Sequence, residues 1–518
     1  MTGTKQIVKN MIIIILMGLI GKMLGFIREI LIGQKFGASL EMDAFLISLS
    51  AVLLFSQLIT KSLNTTIVPI LSEIEKKEGR TQKRHYTNNI LNIIIMLSII
   101  IILIAYIFSP LITKILAPGF KKESQVKLTI LLIRIGLPVI LISGIRGVLR
   151  GYLQTEDRFL ETAISSFPFN LVYILYLVFC SKKFGIKGLM IVAVLAEASQ
   201  ILLQLYEAKK VEYIYNFSFN LKDKYLKKNF KLIPPILISV GISDINSIID
   251  KSMGSTLIEG SISALNYAEK LNGLVMGLFI SAIITVMFPK IAKEASYDSL
   301  HRLKKTTIKS VNIIILIVIP ATIGMIMLAN PIVKTVYERG KFDEIATYMT
   351  SGALVFTTLN MFATSLRLLI NNVFYALQDT KTPVYMGILA VIMNIIFNFI
   401  LIKPMAHLGL ALATTISSFI SCVFLLIFLR KKIGSFGFLK AIKCGLKALV
   451  ASVVMGVGVI LVYNHLIVYL GEGRLNEFIT LITSIGVGGL IYLILILFLK
   501  IDEVDWVKNI VKEKIKGV

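Results

Sequence analysis

The chain contains the apolar stretch VKNMIIIILMGLIGKMLGFIREILIG at residues 8–33, and stretches of this kind recur along its whole length. A helix needs roughly 20 mainly apolar residues to cross a bilayer, and residues 8–33 meet that requirement. A hydrophobic fraction of 56% with only 16% charged residues excludes an ordinary soluble domain. The sequence therefore predicts an all-α polytopic membrane protein.

Windows of this length predict about fourteen transmembrane helices. They lie at residues 8–33, 43–72, 88–112, 128–152, 160–180, 185–208, 230–252, 262–289, 308–330, 348–376, 384–402, 406–429, 443–465 and 477–499. The first window follows Lys5 and Lys9, as a signal peptide would, but it runs past Gly25 without a small-residue cleavage site. We therefore expect it to be retained as the first helix.

The net charge of +25 is explained by where the basic residues lie. They concentrate in alternate loops, at residues 76–84, 209–231, 290–309, 430–447 and 500–516. This is the positive-inside pattern, which predicts that both termini are cytoplasmic. The charge thus requires no nucleic-acid partner. Three cysteines, Cys180, Cys422 and Cys444, lack the spacing of a metal site and are expected to pack in the helices.

Two parts of the chain resemble each other at an offset of about 220 residues, as expected for a transporter with duplicated halves. Val68-Pro69-Ile70 corresponds to Phe288-Pro289-Lys290, and Leu153-Gln154-Thr155-Glu156 to Leu377-Gln378-Asp379-Thr380. The offset covers an even number of helices, which predicts parallel six-helix repeats at 1–215 and 216–432. Residues 433–518 then hold two extra helices and a cytoplasmic tail. Chance similarity between apolar segments is the alternative.

Cations also occur inside the predicted spans, at Lys22, Arg28, Lys61, Arg134, Arg146, Lys270 and Arg367. A cation at bilayer depth is expensive, so it persists mainly where it faces a water-filled cavity, a counter-ion or a ligand. Of these, Arg134 is expected to be structural. The predicted substrate-binding residues are Lys22, Arg28, Glu29, Asp43, Lys61, Arg146, Lys270 and Arg367. Together they indicate an anionic substrate; the alternatives are snorkelling at the interface and ion pairs that lock helices together.

A second polar set is poor in cations: Asp250, Asn394, Asn398 and Thr414. Their oxygen atoms could bind Na⁺, or the carboxyl could carry a proton, with Asp244 as a competing acid. Hydrogen bonding between helices is the alternative explanation.

Enzyme signatures are absent from the sequence. It lacks P-loop, HExxH and GxSxG motifs, and His85, His301, His407 and His465 lie in or near predicted loops or helix ends. We therefore expect a protein that is not an enzyme and binds no cofactor beyond a coupling Na⁺ or proton.

At several of these residues the chain resembles the MurJ (MviN) family of lipid II flippases, in the multidrug/oligosaccharidyl-lipid/polysaccharide exporter superfamily. The matching strings are Leu24-Gly25-Phe26-Ile27-Arg28-Glu29, Phe36-Gly37-Ala38, Asp43-Ala44-Phe45, Val68-Pro69-Ile70-Leu71, Leu265-Asn266-Tyr267-Ala268-Glu269-Lys270-Leu271, Gly340-Lys341-Phe342 and Asp379-Thr380-Lys381-Thr382-Pro383-Val384. The resemblance spans predicted helices 1 to 12, and fourteen helices is also the number that this family shows.

The resemblance implies export of lipid II, an undecaprenyl-pyrophosphate-linked peptidoglycan precursor, to the outer leaflet by alternating access. The family's cationic cavity corresponds to Lys22, Arg28, Asp43 and Lys270. Two of these positions are usually arginine in the family; lysine keeps the charge but not the bidentate phosphate geometry. In helix two the family's Pro-Asn, arginine and acid are replaced within residues 51–60, and Lys61 is a candidate substitute.

The family's monovalent-cation site corresponds to Asp250, Asn394, Asn398 and Thr414, with Asn398 in the place of an acid. The expected partners are lipid II and membrane lipids, for a protein that works as a monomer in the bacterial plasma membrane and associates with cell-wall synthesis proteins. The alternatives are a flippase for another lipid-linked oligosaccharide or polysaccharide, a cation-coupled drug exporter and a non-transporting cell-wall scaffold. A drug exporter would favour acids rather than this basic cavity.

Overall fold

The computed structural model describes residues 2–158, 164–296, 300–471, 473–499 and 501, with the backbone alone for residues 2–15 and 232–244. The predicted cytoplasmic tail beyond residue 501, the start of the predicted fifth helix at 160–163 and the side chain of Asp244 lie outside the described residues. The chain divides into two compact units, Met1–Ser263 with Gly340–Phe342, and Ala264–Arg339 with Asp343–Val518.

Among its described residues, the first unit consists of helices joined by turns and, at residues 211–223, by a longer non-helical segment. The helices are α1 (Thr2–Phe36), α2 (Leu40–Ile107), α3 (Ser109–Leu116), α4 (Glu123–Gly136), α5 (Pro138–Thr155), α6 (Ser166–Leu175), α7 (Ser181–Lys210) and α8 (Lys224–Gly254). A π-helical turn, Tyr176–Cys180, joins α6 to α7.

Helix α2 has 68 residues, which at 1.5 Å per residue would make it about 100 Å long. A bilayer core is only about 30 Å thick, so α2 cannot be a single crossing. Gly79, with φ 88° and ψ 175°, divides it into two arms. The arms contain the predicted second and third helices, and the turn falls in the predicted basic loop.

The core of the first unit lies between the two arms of α2 and helix α5. Ile67, Tyr86 and Tyr152 are fully buried there. A Cβ on Gly151 would lie only 2.0 Å from Cγ2 of Ile67, so the absence of a side chain allows α5 to pack tightly on the first arm. The burial of this apolar surface stabilises the hairpin of α2.

The second unit is also helical among its described residues. It contains α9 (Ser261–Val275, from Ala264 onward), α10 (Ser281–Ser296), α11 (Leu300–Met327), α12 (Ala329–Tyr337), α13 (Glu344–Ala376), α14 (Lys381–Ile433), α15 (Phe438–Leu470) and α16 (Arg474–Phe498). A π-helical turn, Met276–Ile280, joins α9 to α10.

Helix α14 is divided as α2 is, here at Ala406 with φ 50° and ψ −130°. Its two arms contain the predicted eleventh and twelfth helices. Helix α11 packs against α15, and α15 packs against α16. Tyr492 of α16 donates a hydrogen bond to the carbonyl of Leu316 in α11, at 2.8 Å. The last two helices are therefore part of the second unit, packed beside α11.

Among the described residues, nine stretches of helix are long and apolar enough to cross a membrane. Three of them contain an internal break, at Gly79, Gly185 or Ala406. These breaks separate neighbouring predicted helices. The all-helical membrane fold with about fourteen crossings is confirmed. The first compact unit extends to Ser263 and so includes α8, whereas the predicted repeats meet at residue 215; the repeats and their boundaries stay predictions.

Candidate functional site

Helix α1 is brought close to α6 by a residue without a side chain. A Cβ on Gly21 would lie 2.1 Å from Oγ of Ser166, so any other residue here would require the Ser166 side chain to move. Asn170 of α6 donates a hydrogen bond from Nδ2 to the carbonyl of Gly21, at 3.2 Å. This contact sets the position of the cationic end of α1 relative to the aromatic side chains of α6.

Arg28 lies at that end, between a carboxylate and two aromatic rings. Its Nη2 donates to Oε1 of Glu29 at 2.6 Å, and Glu29 is only 7% exposed. Its Cζ lies 5.3 Å from the ring centroid of Phe169 and 5.1 Å from that of Tyr173. Nε of Arg28 is buried without a hydrogen-bond partner. Such a guanidinium is largely withdrawn from water, and one of its donors is still available for an anion.

Lys22 lies on the same helix, and its side chain is exposed. Lys61, on the first arm of α2, is half-buried beside the exposed Asn64 and Thr65. The hydroxyl of Thr65 donates to the carbonyl of Lys61 at 2.9 Å. The polar run in α2 predicted from the sequence is therefore partly accessible.

Asp43 is almost completely buried, at 3% exposure. Its Oδ2 accepts a hydrogen bond from the backbone N–H of Gly260 at 2.8 Å. Its Oδ1 accepts from the N–H of Ser263 at 2.8 Å and from the hydroxyl of Ser263 at 2.5 Å. The carboxylate thus fixes the 260–263 segment within the first unit, and its role in substrate binding stays a prediction.

Arg146 connects α5 to α7. Its Nη1 donates to Oε1 of Gln200 at 2.7 Å, and its Nη2 lies 3.2 Å from Oε2 of Glu197. A quarter of the side chain remains exposed. Arg134, which we expected to be structural, donates from Nε to the hydroxyl of Ser109 at 2.9 Å and lies over the ring of Tyr106.

The second unit contains the other two predicted cations. Lys270 is exposed on α9. Arg367 of α13 is half-buried, and its Nη1 lies 3.4 Å from the hydroxyl of Ser418 in α14. Its Nε is buried without a hydrogen-bond partner, as is that of Arg28. A buried Nε without a hydrogen-bond partner also occurs at Arg84, Arg146 and Arg150 of the first unit. Arg28 differs from these in being held between a carboxylate and two aromatic rings.

The predicted cation-binding residues form a hydrogen-bonded series in the second unit, apart from Asp250, which belongs to the first. Asn398 donates from Nδ2 to Oδ1 of Asn394 at 3.0 Å, and Asn394 donates from Nδ2 to Oγ1 of Thr414 at 2.9 Å. Both asparagines are fully buried. The series joins the two arms of α14, as interhelical hydrogen bonding would. In the described part of the chain no group of three or more His, Cys, Asp or Glu side chains could hold a metal ion.

A buried ion cluster in the first unit was not predicted from the sequence. Lys83 is completely buried and pairs with Oε2 of Glu75 at 2.6 Å and with Oε1 of Glu156 at 2.9 Å. Arg80 lies 2.6 Å from the other oxygen of Glu156. Lys83 lies in a charge run that we interpreted as a loop. The sequence feature that could have indicated this cluster is the position of Glu156 at the end of a repeated motif.

The matching motif in the second unit carries its acid one position earlier, at Asp379, and this acid also pairs with a lysine. Its Oδ2 lies 2.6 Å from Nζ of Lys432, and its carboxylate accepts hydrogen bonds from the backbone N–H and hydroxyl of Thr382. Partial burial acts to raise the pKa of Asp379, but the bonds from Lys432 and Thr382 outweigh it and lower that pKa to about 2. In both motifs the acid is held by a lysine.

Comparison with known proteins adds a decisive observation. The family model described as "Lipid II flippase MurJ" matches residues 32–481. The chain belongs to the lipid II flippase MurJ family. It is 27% identical over 413 residues to the "Probable lipid II flippase MurJ" of Rickettsia prowazekii (strain Madrid E), covering 79% of this chain and 80% of that protein. The protein of the same name from Buchnera aphidicola subsp. Schizaphis graminum is 25% identical over 514 residues, covering 98% and 100%.

Two solved structures share the fold. One is "Lipid II flippase MurJ, inward closed conformation", with a TM-score of 0.78 and 24% identity, covering 94% of this chain and 98% of that chain. The other is an inward-facing MATE family multidrug resistance transporter of the MOP superfamily, with a TM-score of 0.65 and 14% identity, covering 82% and 98%. The family implied by the resemblance is thus confirmed.

Membership of this family also confirms the predicted class of function, transport of lipid II across the membrane by a multi-pass membrane protein. The family is one of flippase transporters and not of enzymes. The roles of individual residues stay predictions.

Proposed function

We propose that this chain moves lipid II from the inner to the outer leaflet of the cytoplasmic membrane by alternating access, and that Arg28 binds the pyrophosphate. The observation that carries the residue assignment is the environment of Arg28, a guanidinium held by Glu29 and two aromatic rings, with a buried Nε donor that has no partner. Phosphate oxygens match the fork of guanidinium donors in geometry and charge.

Glu29 has a defined part in this proposal. In the empty protein its carboxylate neutralises Arg28 and lowers the cost of keeping a cation out of water. When the pyrophosphate arrives, its oxygens compete with Glu29 for the Nη donors and also take the Nε donor. Release then returns Arg28 to Glu29. The guanidinium therefore keeps an anionic partner throughout the exchange.

Lys22 and Lys61 in the first unit, and Lys270 and Arg367 in the second, are the further cations that we assign to the headgroup. Lys22 and Lys270 are exposed, so they can approach a ligand without first leaving a buried site. Arg146 is held by Gln200 and Glu197, and we assign it a weaker contribution. Inside-negative potential would help to return the empty cationic protein, since one charge crossing 100 mV is worth roughly 2.3 kcal/mol.

A coupling ion, Na⁺ or a proton, is a further part of the proposal, with Asp250, Asn394, Asn398 and Thr414 as the candidate site. The hydrogen-bonded series from Asn398 to Thr414 supplies oxygen atoms within one unit. We further propose that the protein is not catalytic, works as a monomer, has both termini in the cytoplasm and associates with cell-wall synthesis proteins. The distribution of basic loops supports the orientation.

The test is rescue of cells depleted of their own lipid II flippase, with outer-leaflet lipid II as the readout. The wild-type chain should restore it, and failure despite normal membrane insertion would reject the assignment. Substitution of Lys22, Arg28 or Lys270 by Ala should abolish rescue without loss of protein. Arg134→Lys is the control. The partners of Arg134 are Ser109 and Tyr106, and we assign it no contact with lipid II, so this variant should still rescue the cells. Full activity of all three alanine variants would refute the cationic mechanism.

A further inference from the structure

Residues 211–223 form a non-helical strap between helices α7 and α8 in the first unit. Its sequence is VEYIYNFSFNLKD. The strap ends at Asp223, whose Oδ1 accepts hydrogen bonds from the N–H groups of Tyr225 and Leu226 at the start of α8. Because both flanking helices are predicted to cross the membrane, the strap lies at one membrane surface.

One edge of the strap is held by a row of asparagines on the second arm of α2. Asn88 donates to the carbonyl of Ile214 at 3.3 Å, and Asn92 donates to the carbonyl of Ser218 at 2.8 Å. Asn89 exchanges two hydrogen bonds with the backbone of Asn220, at 3.0 and 2.6 Å. The asparagine side chains thus replace the partners that strap backbone groups would otherwise find in water.

Two tyrosines add to this attachment. The hydroxyl of Tyr213 donates to Oδ1 of Asn88 at 2.5 Å, and that of Tyr215 donates to Oδ1 of Asn92 at 2.8 Å. Both asparagines are buried, with Asn88 at 2% and Asn92 at 8% exposure. The strap is therefore fixed in place before any partner binds.

The opposite edge of the strap is apolar and exposed. Ser218 is buried and lies 3.1 Å from Nε2 of His85, whereas its neighbours Phe217 and Phe219 are 78% and 45% exposed. Side chains alternate along an extended backbone, so these two rings point away from α2. Ile214 and Leu221 are also more than half exposed. Large apolar side chains on a pre-ordered segment favour burial against a partner.

The charge around this edge identifies the partner. Exposed lysines flank the strap: Lys209, Lys222 and Lys227, together with Lys210 and Lys224, which pair with Glu207 and Glu78. Aromatic rings favour the membrane–water interface, and clustered lysines favour anionic headgroups of the cytoplasmic leaflet. By contrast, residues 76–81 of the α2 turn, KKEGRT, have no apolar side chain, are exposed and are expected to lie in water.

We propose that the strap is an in-plane anchor in the cytoplasmic leaflet, with Phe217 and Phe219 inserted at the level of the upper acyl chains and the flanking lysines on anionic phospholipid headgroups. The asparagine row makes this possible, because backbone polar groups need internal partners wherever water is scarce. The anchor is independent of lipid II binding. It fixes the junction of α7 and α8 at a constant depth in the membrane.

The chain has one tryptophan, at position 506, so single-tryptophan reporters are simple to make. In a Trp506→Phe background, Phe217→Trp and Phe219→Trp are compared with Thr81→Trp, which lies on the charged turn. Each variant is reconstituted in phosphatidylglycerol-containing vesicles with and without bromine on the acyl chains. The strap reporters should emit at shorter wavelength than Thr81→Trp, lose most of their emission to brominated lipid and resist quenching by aqueous iodide.

The opposite pattern, iodide quenching of the strap reporters with no effect of brominated lipid, would overturn the proposal and point to water or a protein partner. Two further variants test its parts. Asn89→Ala should reduce the lipid quenching of Phe217→Trp by loosening the strap, and unchanged quenching would refute the role of the asparagine row. Lys222→Gln with Lys227→Gln should reduce quenching in anionic vesicles only. An equal reduction in neutral phosphatidylcholine vesicles would refute the role of anionic headgroups.

Discussion

Removal of the cation from the cluster around Lys83 should destabilise the first unit strongly. Lys83 is completely buried, pairs with Glu75 and Glu156, and lies 5.2 Å from the ring centroid of Tyr152. Lys83→Met keeps the apolar stem of the side chain and removes only the charge. It leaves Glu156, which is 10% exposed, with Arg80 as its remaining cation.

The expected loss of unfolding free energy follows from this arrangement. Removal of one partner from a buried ion pair costs about 3–5 kcal/mol, because the other charge is left buried. Glu75 is 40% exposed and can turn to water, and Arg80 still lies 2.6 Å from Glu156. Both facts place the loss at the lower end, about 3 kcal/mol. Glu156→Gln in the Lys83→Met background should recover part of it by removing the buried carboxylate that has lost Lys83, because Arg80, whose side chain is 48% exposed, can turn to water.

The assay is unfolding of the detergent-solubilised protein, followed by circular dichroism as denaturant or temperature rises. The matched control is Lys77→Met, which removes an equally long cation from an i,i+4 pair with Glu73, with a side chain that is 62% exposed. Exposed pairs contribute little, so the control should unfold like wild type. The reasoning is refuted if the two lysine variants unfold at the same midpoint.

Three other predictions concern packing, pH and ion binding. Gly151→Val should cost about 1–3 kcal/mol by overpacking against Ile67, whereas Gly489→Val, with open space around it, should leave the thermal midpoint unchanged; equal shifts would contradict the packing. The pKa of Asp379 is lowered to about 2, so its ion pair stabilises the fold above the unfolded pKa of about 4 and is lost as pH falls towards 2. Asp379→Asn should therefore make the unfolding midpoint less sensitive to pH between about 4 and 2. The same dependence of the midpoint on pH in the variant and in wild type would contradict this role of Asp379. If Na⁺ binds the asparagine series, Na⁺ should raise the thermal unfolding midpoint of wild type, whereas K⁺ should not. Neither ion should raise the midpoint of Asn394→Leu. An equal rise with Na⁺ in both proteins would exclude this site.

Much of the fold was predictable because membrane crossings depend on local hydropathy. The windows at 43–72 and 88–112 fall on either side of Gly79, where a charged run interrupts the apolar sequence. In the same way, the windows at 384–402 and 406–429 meet at the break at Ala406. Local sequence could not show how the helices group into compact units, because that depends on contacts between distant segments.

The candidate site was predictable only in part, for the same reason. The position of Arg28 within an apolar span identified it as unusual, and Glu29 is its neighbour in sequence. Its contacts with Phe169 and Tyr173 join residues more than a hundred positions apart, which no local pattern indicates. Lys83 was interpreted as a solvated loop cation because charge runs usually are, and its buried partner Glu156 lies in another helix.

The central claim is that Arg28 binds the pyrophosphate through its fork of donors. Its most direct test is the affinity of purified protein for lipid II, measured for wild type, Arg28→Lys and the control Arg134→Lys. A charge-assisted hydrogen bond contributes about 1.5–3 kcal/mol, so Arg28→Lys should weaken binding roughly ten- to a hundredfold, while Arg134→Lys should bind like wild type. Equal affinity of all three proteins would contradict the assignment of Arg28 to the pyrophosphate.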